Sequence, residues 1–180
     1  MEKYLTILSP FFENPNEKYS IRELSRLLQI NHTTVRQYLE ILAKENYLTF
    51  KKEGIYIFYN LILSKKTLNL KLYYNLEKLR KSNLVEDLEK FYDYPVIVLF
   101  GSYAFAMDDI TSDIDICIIT NIKKEFIYEN NLEKYEHIIN RKISIHKFSK
   151  ESFEKTKKVN PNLINNICNG IVLSGELVIV

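Results

Sequence analysis

The chain has 180 residues, of which 46% are hydrophobic and 27% charged, and its formal net charge at pH 7 is +2. This length suits one medium-sized domain or two small ones, and the composition is typical of a soluble globular protein. The sequence contains no apolar run long enough to span a bilayer and no N-terminal secretion signal. We therefore expect a cytoplasmic protein that has no membrane partner.

Charge is spread unevenly along the chain. Residues 1–92 hold 15 Lys and Arg against 11 Asp and Glu, whereas residues 93–180 hold 10 against 12. A mildly basic front half favours a polyanionic partner, although a charged face is more often only solvated.

Three short helices are predicted near the N-terminus. Apolar residues at spacings of three and four indicate a helix over residues 2–14. Ser20, with Glu23 three residues later, forms a capping box that starts the second helix. Asn31 can cap a third helix over residues 32–46, whose apolar residues share one face.

The segment YLTFKKEGIYIFYNLI follows and predicts two strands around a Glu53-Gly54 turn. Two short helices joined by a tight turn make a helix-turn-helix, and three helices followed by a hairpin over residues 1–62 resemble the winged-helix family. This resemblance implies that the third helix enters the major groove of double-stranded DNA, where Arg and Gln read base edges and hydroxyls and Lys hold phosphates. The candidate DNA-binding residues are Asn31, His32, Thr33, Thr34, Arg36, Gln37, Lys51 and Lys52. A protein-interaction surface or a homodimer surface is the alternative use of such a domain.

A helical linker is predicted over residues 63–92. Its leucines at positions 68, 72, 76 and 79 lie in near-helical register. Such a stripe packs in a core or, less commonly, along a seam with a second copy of the chain.

The most informative stretch covers residues 95–120. Pro95 opens VIVLF, an apolar run that predicts a strand buried on both faces, and Gly101-Ser102 follows it directly. A glycine at a strand end permits a tight turn and lets a phosphate approach the backbone, and the serine hydroxyl is a further donor.

The next predicted strand, DIDICIIT, places two acids on one face. Asp113 and Asp115 are two residues apart, about 6.6 Å along an extended backbone. Their carboxylates can converge on one or two ions with bonds of about 2.0–2.1 Å. Because buried charge is costly without a partner, we predict a Mg²⁺ site here.

A strand, Gly-Ser, about ten residues and then Asp-x-Asp on the next strand resemble the nucleotidyltransferase superfamily that includes polymerase beta and the small minimal nucleotidyltransferases. The resemblance covers about residues 80–180. It implies transfer of a nucleoside monophosphate from a nucleoside triphosphate (NTP) to an acceptor hydroxyl. It also implies that Asp113 and Asp115 are catalytic metal ligands and that Gly101, Ser102 and Ser112 bind the nucleotide.

Two features depart from the family pattern. The family supplies a third carboxylate from the following strand, but RKISIHKF carries Ser144 and His146 on its polar face and no Asp or Glu. The loop after Gly-Ser reads Ala-Phe-Ala where the family often has Ala-Arg-Gly. Three outcomes stay open: slow catalysis, use of His146 as a ligand or base, or no catalysis. A histidine making ordinary hydrogen bonds is the simpler interpretation of His146.

These observations predict an α+β protein in which a winged helix (1–62) is linked by helices (63–92) to an α/β nucleotidyltransferase-fold domain with a short mixed sheet (93–180). The leading function is Mg²⁺-dependent nucleotidyl transfer by a protein that docks on DNA. The alternative is a DNA-binding transcriptional regulator whose degenerate transferase domain only binds nucleotide or mediates assembly. A third hypothesis is an antitoxin-like protein whose acceptor is a side chain of a toxin-like partner.

Overall fold

The computed structural model describes residues 2–126 and 132–177. The chain divides into two compact units, Met1–Lys71 and Leu72–Val180. Both units combine helices with a β-sheet, so the predicted α+β class is confirmed. Among the described residues, no helix is long and apolar enough to cross a membrane.

The N-terminal unit contains three helices and a three-stranded antiparallel sheet in the order β1-β3-β2. The predicted helices and hairpin are all present, with the third helix two residues shorter than expected. Strand β1 was not predicted, because three residues are too short to show an alternating pattern. In chain order the elements are α1 (Glu2–Glu13), β1 (Lys18–Ser20), α2 (Ile21–Leu28), α3 (His32–Lys44), β2 (Leu48–Glu53) and β3 (Tyr56–Leu61).

Side-chain caps fix where α2 and α3 begin. The Ser20 hydroxyl accepts a hydrogen bond from the Glu23 backbone N–H at 3.3 Å, and the Glu23 carboxylate accepts one from the Ser20 N–H at 2.7 Å. The Asn31 side chain accepts a bond from the Thr33 N–H at 2.8 Å. Both predicted caps are therefore present. The buried apolar side chains of these three helices include Leu8, Phe11, Leu24, Val35 and Leu39.

The C-terminal unit is built on a four-stranded mixed sheet in the order β6-β5-β4-β7, in which only the β5–β6 pair is parallel. Residues 63–92, predicted to be helical, form two helices, and the described part of the chain ends with two helices and a short strand, as the sequence after residue 148 also predicts. The sequence also predicts a helix over residues 124–140, of which the structure describes Leu132–Ile139 as helix, while residues 127–131 lie outside the described residues. The elements that follow β3 are α4 (Lys65–Lys81), within which the boundary between the two units falls, α5 (Leu84–Phe91), β4 (Val96–Phe100), α6 (Gly101–Ala104), β5 (Ile114–Ile119), α7 (Leu132–Ile139), β6 (Ile143–Phe148), α8 (Lys150–Val159), α9 (Pro161–Cys168) and β7 (Ile171–Ser174).

Each face of this sheet buries its own apolar cluster. On one face, Ile97, Leu99, Ile114, Ile116 and Ile118 pack with residues that include Leu79, Leu84 and Leu88. On the other face, Val98, Phe100, Cys117 and Ile119 pack against Phe153, Ile164 and Ile167 of α8 and α9. Because side chains alternate along a strand, Asp115 lies on the same face as Cys117 and Ile119. Asp115 is therefore the one charged side chain next to the apolar Cys117 and Ile119 on this face of β5. It pairs with Phe100, the last residue of β4, directly before α6 begins.

Candidate nucleotide and metal site

The Gly-Ser turn directly follows β4 and opens the short helix α6. Gly101 has φ +73°, a left-handed conformation that costs an L-residue about 1–2 kcal/mol. A Cβ at this position would lie 2.4 Å from Oδ2 of Asp115. The Asp115 carboxylate therefore lies against the bare Cα of Gly101, and both the backbone angle and the space disfavour any other residue there.

The two acids of the Asp-x-Asp pattern occupy different environments. Strand β5 begins at Ile114, so Asp113 precedes the strand, whereas Asp115 is its second residue and is half-buried. Burial raises the pKa of the Asp115 carboxyl above its usual value, and the negative charge of Asp113 raises it further, while His146 opposes both effects. The negative charge of Asp113 thus disfavours the ionised form of Asp115, which a bound cation would favour.

Strand β6 lies beside β5, with Ser144 opposite Asp115 and His146 opposite Cys117. Nε2 of His146 is 3.7 Å from Oδ1 of Asp115 and 3.3 Å from Oγ of Ser144. The distance to Asp115 is too long for a hydrogen bond. The imidazole also meets the Phe100 ring edge-on, with ring centroids 5.3 Å apart. Strand β6, which was predicted to lack a carboxylate, lies beside β5 and brings Ser144 and His146 close to Asp115.

The two predicted nucleotide-binding serines differ in their surroundings. Ser102 is half-buried in α6, and its carbonyl accepts a hydrogen bond from the Met107 N–H at 2.9 Å. The Ser112 hydroxyl accepts a bond from the Asp109 N–H at 3.0 Å and lies 3.2 Å from the Asp109 carboxylate. Bonds from Thr111 and Ser112 lower the pKa of Asp109. Ser112 thus helps to fold the loop before Asp113, and its role toward a nucleotide stays a prediction.

A buried polar network, missed by sequence reasoning, anchors the loop between the Gly-Ser turn and Asp113. Asp108 accepts a hydrogen bond from the Asn75 side chain at 2.8 Å and lies 3.8 Å from the Arg141 guanidinium. Asn75 also donates to the Tyr103 carbonyl at 3.1 Å, and the Tyr103 hydroxyl donates to the Asn75 carbonyl at 3.2 Å. No local pattern pairs Asn75 with a loop 28 to 33 residues away along the chain.

A divalent ion suits the pair of acids. Among residues 2–126 and 132–177, no group of three His, Cys, Asp and Glu side chains is arranged to hold a metal by itself. Mg²⁺, however, is commonly held by one or two carboxylates together with water and substrate phosphates. Asp113 and Asp115 supply two carboxylates, and Asp115 lies against the Gly-Ser turn, so these residues fit an ion that arrives with a triphosphate.

Comparison with known proteins identifies the C-terminal unit. The family model described as "Polymerase beta, Nucleotidyltransferase" matches residues 82–175, more than half of the chain. The chain belongs to this nucleotidyltransferase family. The matched segment includes the Gly-Ser turn, both acids and β6, which confirms the family expected from the sequence.

A solved structure and the curated proteins add little to this assignment. The structure, a possible transcriptional regulator from Methanosarcina mazei Go1, is 16% identical. The similarity covers 51% of this chain and 78% of that chain, with a TM-score of 0.36. No curated protein matches the sequence. The function of this nucleotidyltransferase-family chain therefore has to be argued from its own residues.

The predicted DNA-binding residues lie on the surface of the N-terminal unit. Thr34 is half-buried and the other seven are exposed. On α3, the side chains of Arg36 and Gln37 are exposed, whereas those of Val35 and Leu39 are buried. Sequence reasoning did not single out the apolar side chains exposed near the hairpin turn, which are Phe50, Ile55, Tyr56 and Ile57.

Proposed function

We propose that this protein transfers a nucleoside monophosphate from an NTP to an acceptor hydroxyl with the help of Mg²⁺, and that its N-terminal unit is a winged helix that docks on double-stranded DNA. The observation that carries the first half is the contact between Asp115 and Gly101. It brings the acid of the Asp-x-Asp pattern to the Gly-Ser turn, at which we place the triphosphate. The charge repulsion between Asp113 and Asp115 adds support, because it favours binding of a cation.

In the proposed reaction, the acceptor oxygen attacks the α-phosphorus, the bond from this phosphorus to the bridging oxygen of the β-phosphate breaks, and pyrophosphate leaves. In this proposal Gly101 and Ser102 would hold the β- and γ-phosphates, and Asp113 and Asp115 would hold the ion. When bound, a divalent ion supplies positive charge that offsets the negative charge developing on the phosphates. Strand β6 brings no carboxylate to take the proton of the acceptor hydroxyl, so we assign that proton to the imidazole of His146, which lies 3.7 Å from Asp115.

The transfer reaction is tested with the full chain, α-labelled NTPs, Mg²⁺ and a cell lysate as the source of acceptor. We expect label to appear on an acceptor with the wild type and to be lost in the Asp113→Asn, Asp115→Asn double variant. Asp93→Asn is the matched control, because Asp93 is an exposed acid at the opposite end of β4. Equal labelling by the wild type and the double variant would contradict the proposal.

A second candidate function is a regulator that binds nucleotide without transferring it. The observation that favours it is the pair Ser144 and His146 in β6, where the family supplies an acid. Binding of a fluorescent NTP without any transfer would support this candidate, whereas transfer would exclude it. Protease treatment of labelled material identifies a protein acceptor, as an antitoxin-like role requires.

The proposal of DNA binding is supported by the basic front half of the chain and by the exposed Arg36, Gln37, Lys51 and Lys52. We expect retention on duplex DNA to fall as salt rises, because phosphate contacts release counterions. Arg36→Ala should weaken binding, which fluorescence anisotropy across a salt series measures. Arg80→Ala is the control, since Arg80 is exposed and pairs with Glu77 in the C-terminal unit. Equal losses in the two variants would contradict docking through α3.

A further inference from the structure

Asn75 contacts both segments of the chain on which the proposed nucleotide site depends. It lies in α4, within the C-terminal unit, and is only 1% exposed. Its Nδ2 donates one hydrogen bond to the carbonyl of Tyr103, in the short helix α6 that begins at Gly101. The same nitrogen donates another to Oδ1 of Asp108, in the loop of residues 105–113, here called the Asp113 loop. These two bonds use both hydrogens of the amide.

The partners of Asn75 are themselves buried and tied to other elements. The Tyr103 side chain is buried, and its hydroxyl donates a hydrogen bond back to the Asn75 carbonyl at 3.2 Å. Asp108 is buried, and its Oδ2 lies 3.8 Å from the guanidinium of Arg141, two residues before β6. Breaking a buried hydrogen bond is costly, because the group left without a partner does not reach water. These contacts therefore hold α6 and the Asp113 loop in one arrangement.

Neither the family match nor the proposed reaction gives Asn75 a role. The matched segment covers residues 82–175, and Asn75 precedes it. Its amide is buried and already donates both hydrogens within the protein, so it is not available to a substrate. Asn75 acts on the site only through the residues that it holds in place.

We propose that Asn75 is a positioning residue, which fixes the Gly-Ser turn and the Asp113 loop relative to each other so that a triphosphate and its metal ion are held together. The inference rests on the proposed function, in which the turn holds the phosphates and Asp113 and Asp115 hold the ion. Mg²⁺ shared between carboxylates and phosphates needs both sets of oxygens at about 2.0–2.1 Å. A small displacement of the turn from the acids therefore weakens the shared coordination.

The test measures how much Mg²⁺ tightens nucleotide binding by the full chain. Fluorescent analogues of the four NTPs are titrated with Mg²⁺ and with a chelator, and the ratio of the two affinities is the Mg²⁺ gain. We expect a clear gain in the wild type and a gain about tenfold smaller in Asn75→Leu. Affinity without Mg²⁺ should change little, because the phosphates then contact the turn alone. This readout does not depend on turnover.

Two tyrosine variants separate positioning from a loss of stability. Tyr103→Phe removes the hydroxyl that bonds to the Asn75 carbonyl and keeps the ring, so it guards against an Asn75→Leu variant that fails to fold. It should reduce the Mg²⁺ gain by a smaller factor. Tyr135→Phe is the matched control, since Tyr135 is also buried and its hydroxyl bonds to Asp87 of α5. This control should keep the gain of the wild type.

Three results overturn the inference. The first is a Mg²⁺ gain like that of the wild type in Tyr103→Phe and in any folded Asn75→Leu. The second is an equal reduction of the gain in Tyr135→Phe, which would indicate a general effect of lost stability. The third is the absence of any Mg²⁺ gain in the wild type.

The two proposals can fail separately. If the wild type transfers label while the variants of Asn75 and Tyr103 keep the full Mg²⁺ gain, the inference fails and the proposed function stands. If the gain depends on Asn75 but no acceptor is ever labelled, the positioning role stands and the transferase proposal fails.

Discussion

Gly101 illustrates how one residue meets two requirements at once. Its φ of +73° would strain an L-residue, and its missing Cβ leaves the space that the Asp115 carboxylate occupies. Gly54, in the turn between β2 and β3, has a similar φ of +62°, but the position that a Cβ would take there has no neighbouring atom within 4 Å. The two glycines therefore separate the effect of backbone strain from the effect of displacing an acid.

We predict that Gly101→Ala and Gly54→Ala each lower the free energy of unfolding by about 1–2 kcal/mol through backbone strain. Only Gly101→Ala should also displace Asp115, and it should reduce nucleotide transfer by on the order of 100-fold. Urea denaturation measures the first effect and the labelling assay the second. Normal transfer by Gly101→Ala would show that the contact with Asp115 does not serve the reaction.

At the scale of elements, local signals predicted the boundaries best. The capping box at Ser20 and the Asn31 cap lie where the sequence placed them, because a cap depends on residues within one turn of the helix. Strand β1 was not predicted, and the predicted start of β5 at Asp113 was one residue too early. The ends of a strand depend on which residues its partner strand pairs with. A strand of three residues, or a shift of one residue, is too short for the alternation of polar and apolar residues to reveal those ends.

The capping box of α2 has a consequence for stability. We predict that Ser20→Ala lowers the free energy of unfolding by about 1 kcal/mol at pH 7. Hydrogen bonds from the Ser20 backbone N–H and hydroxyl lower the pKa of Glu23. Glu23 therefore stabilises the folded state above its unfolded pKa of about 4.3, and this contribution is lost as the pH falls through the lower, folded value.

Urea denaturation at pH 7 and at a pH of about 3, below the unfolded pKa of Glu23, tests this prediction. The difference in unfolding free energy between wild type and Ser20→Ala should be smaller at the lower pH, because the unfolded chain is then protonated at Glu23 and the contribution of the Glu23 charge declines. Ser9→Ala is the control, because the Ser9 hydroxyl bonds to a carbonyl of its own helix, at Thr6. A difference that stays the same at both pH values would contradict a role for the Glu23 charge.

At the scale of the whole molecule, each unit has its own set of buried apolar side chains and its own sheet. A substitution that changes only a surface charge in one unit should therefore leave the fold of the other unchanged. The proposed functions are divided in the same way, with DNA docking assigned to the N-terminal unit and nucleotide chemistry to the C-terminal unit.

We predict that the two proposed activities are separable in the full chain. Arg36→Ala should weaken DNA binding and leave fluorescent NTP binding within about twofold of the wild type, and the double variant of Asp113 and Asp115 should show the reverse. The reason is that neither change alters a fully buried side chain. Anisotropy with labelled duplex DNA and with labelled NTP measures both. Loss of both activities in either variant would show that they depend on each other.

The sequence by itself determined most of the elements, the class of fold and the family of the C-terminal unit. Helix caps, turn residues and the Gly-Ser and Asp-x-Asp spacing act over a few residues, so they can be read along the chain. Only the tertiary structure decided that Asp115 lies against Gly101, that His146 comes within 3.7 Å of that acid, and that Asn75 holds the loop at Asp108. These contacts join residues far apart along the chain, and they depend on strand order, register and helix packing, which no local pattern specifies.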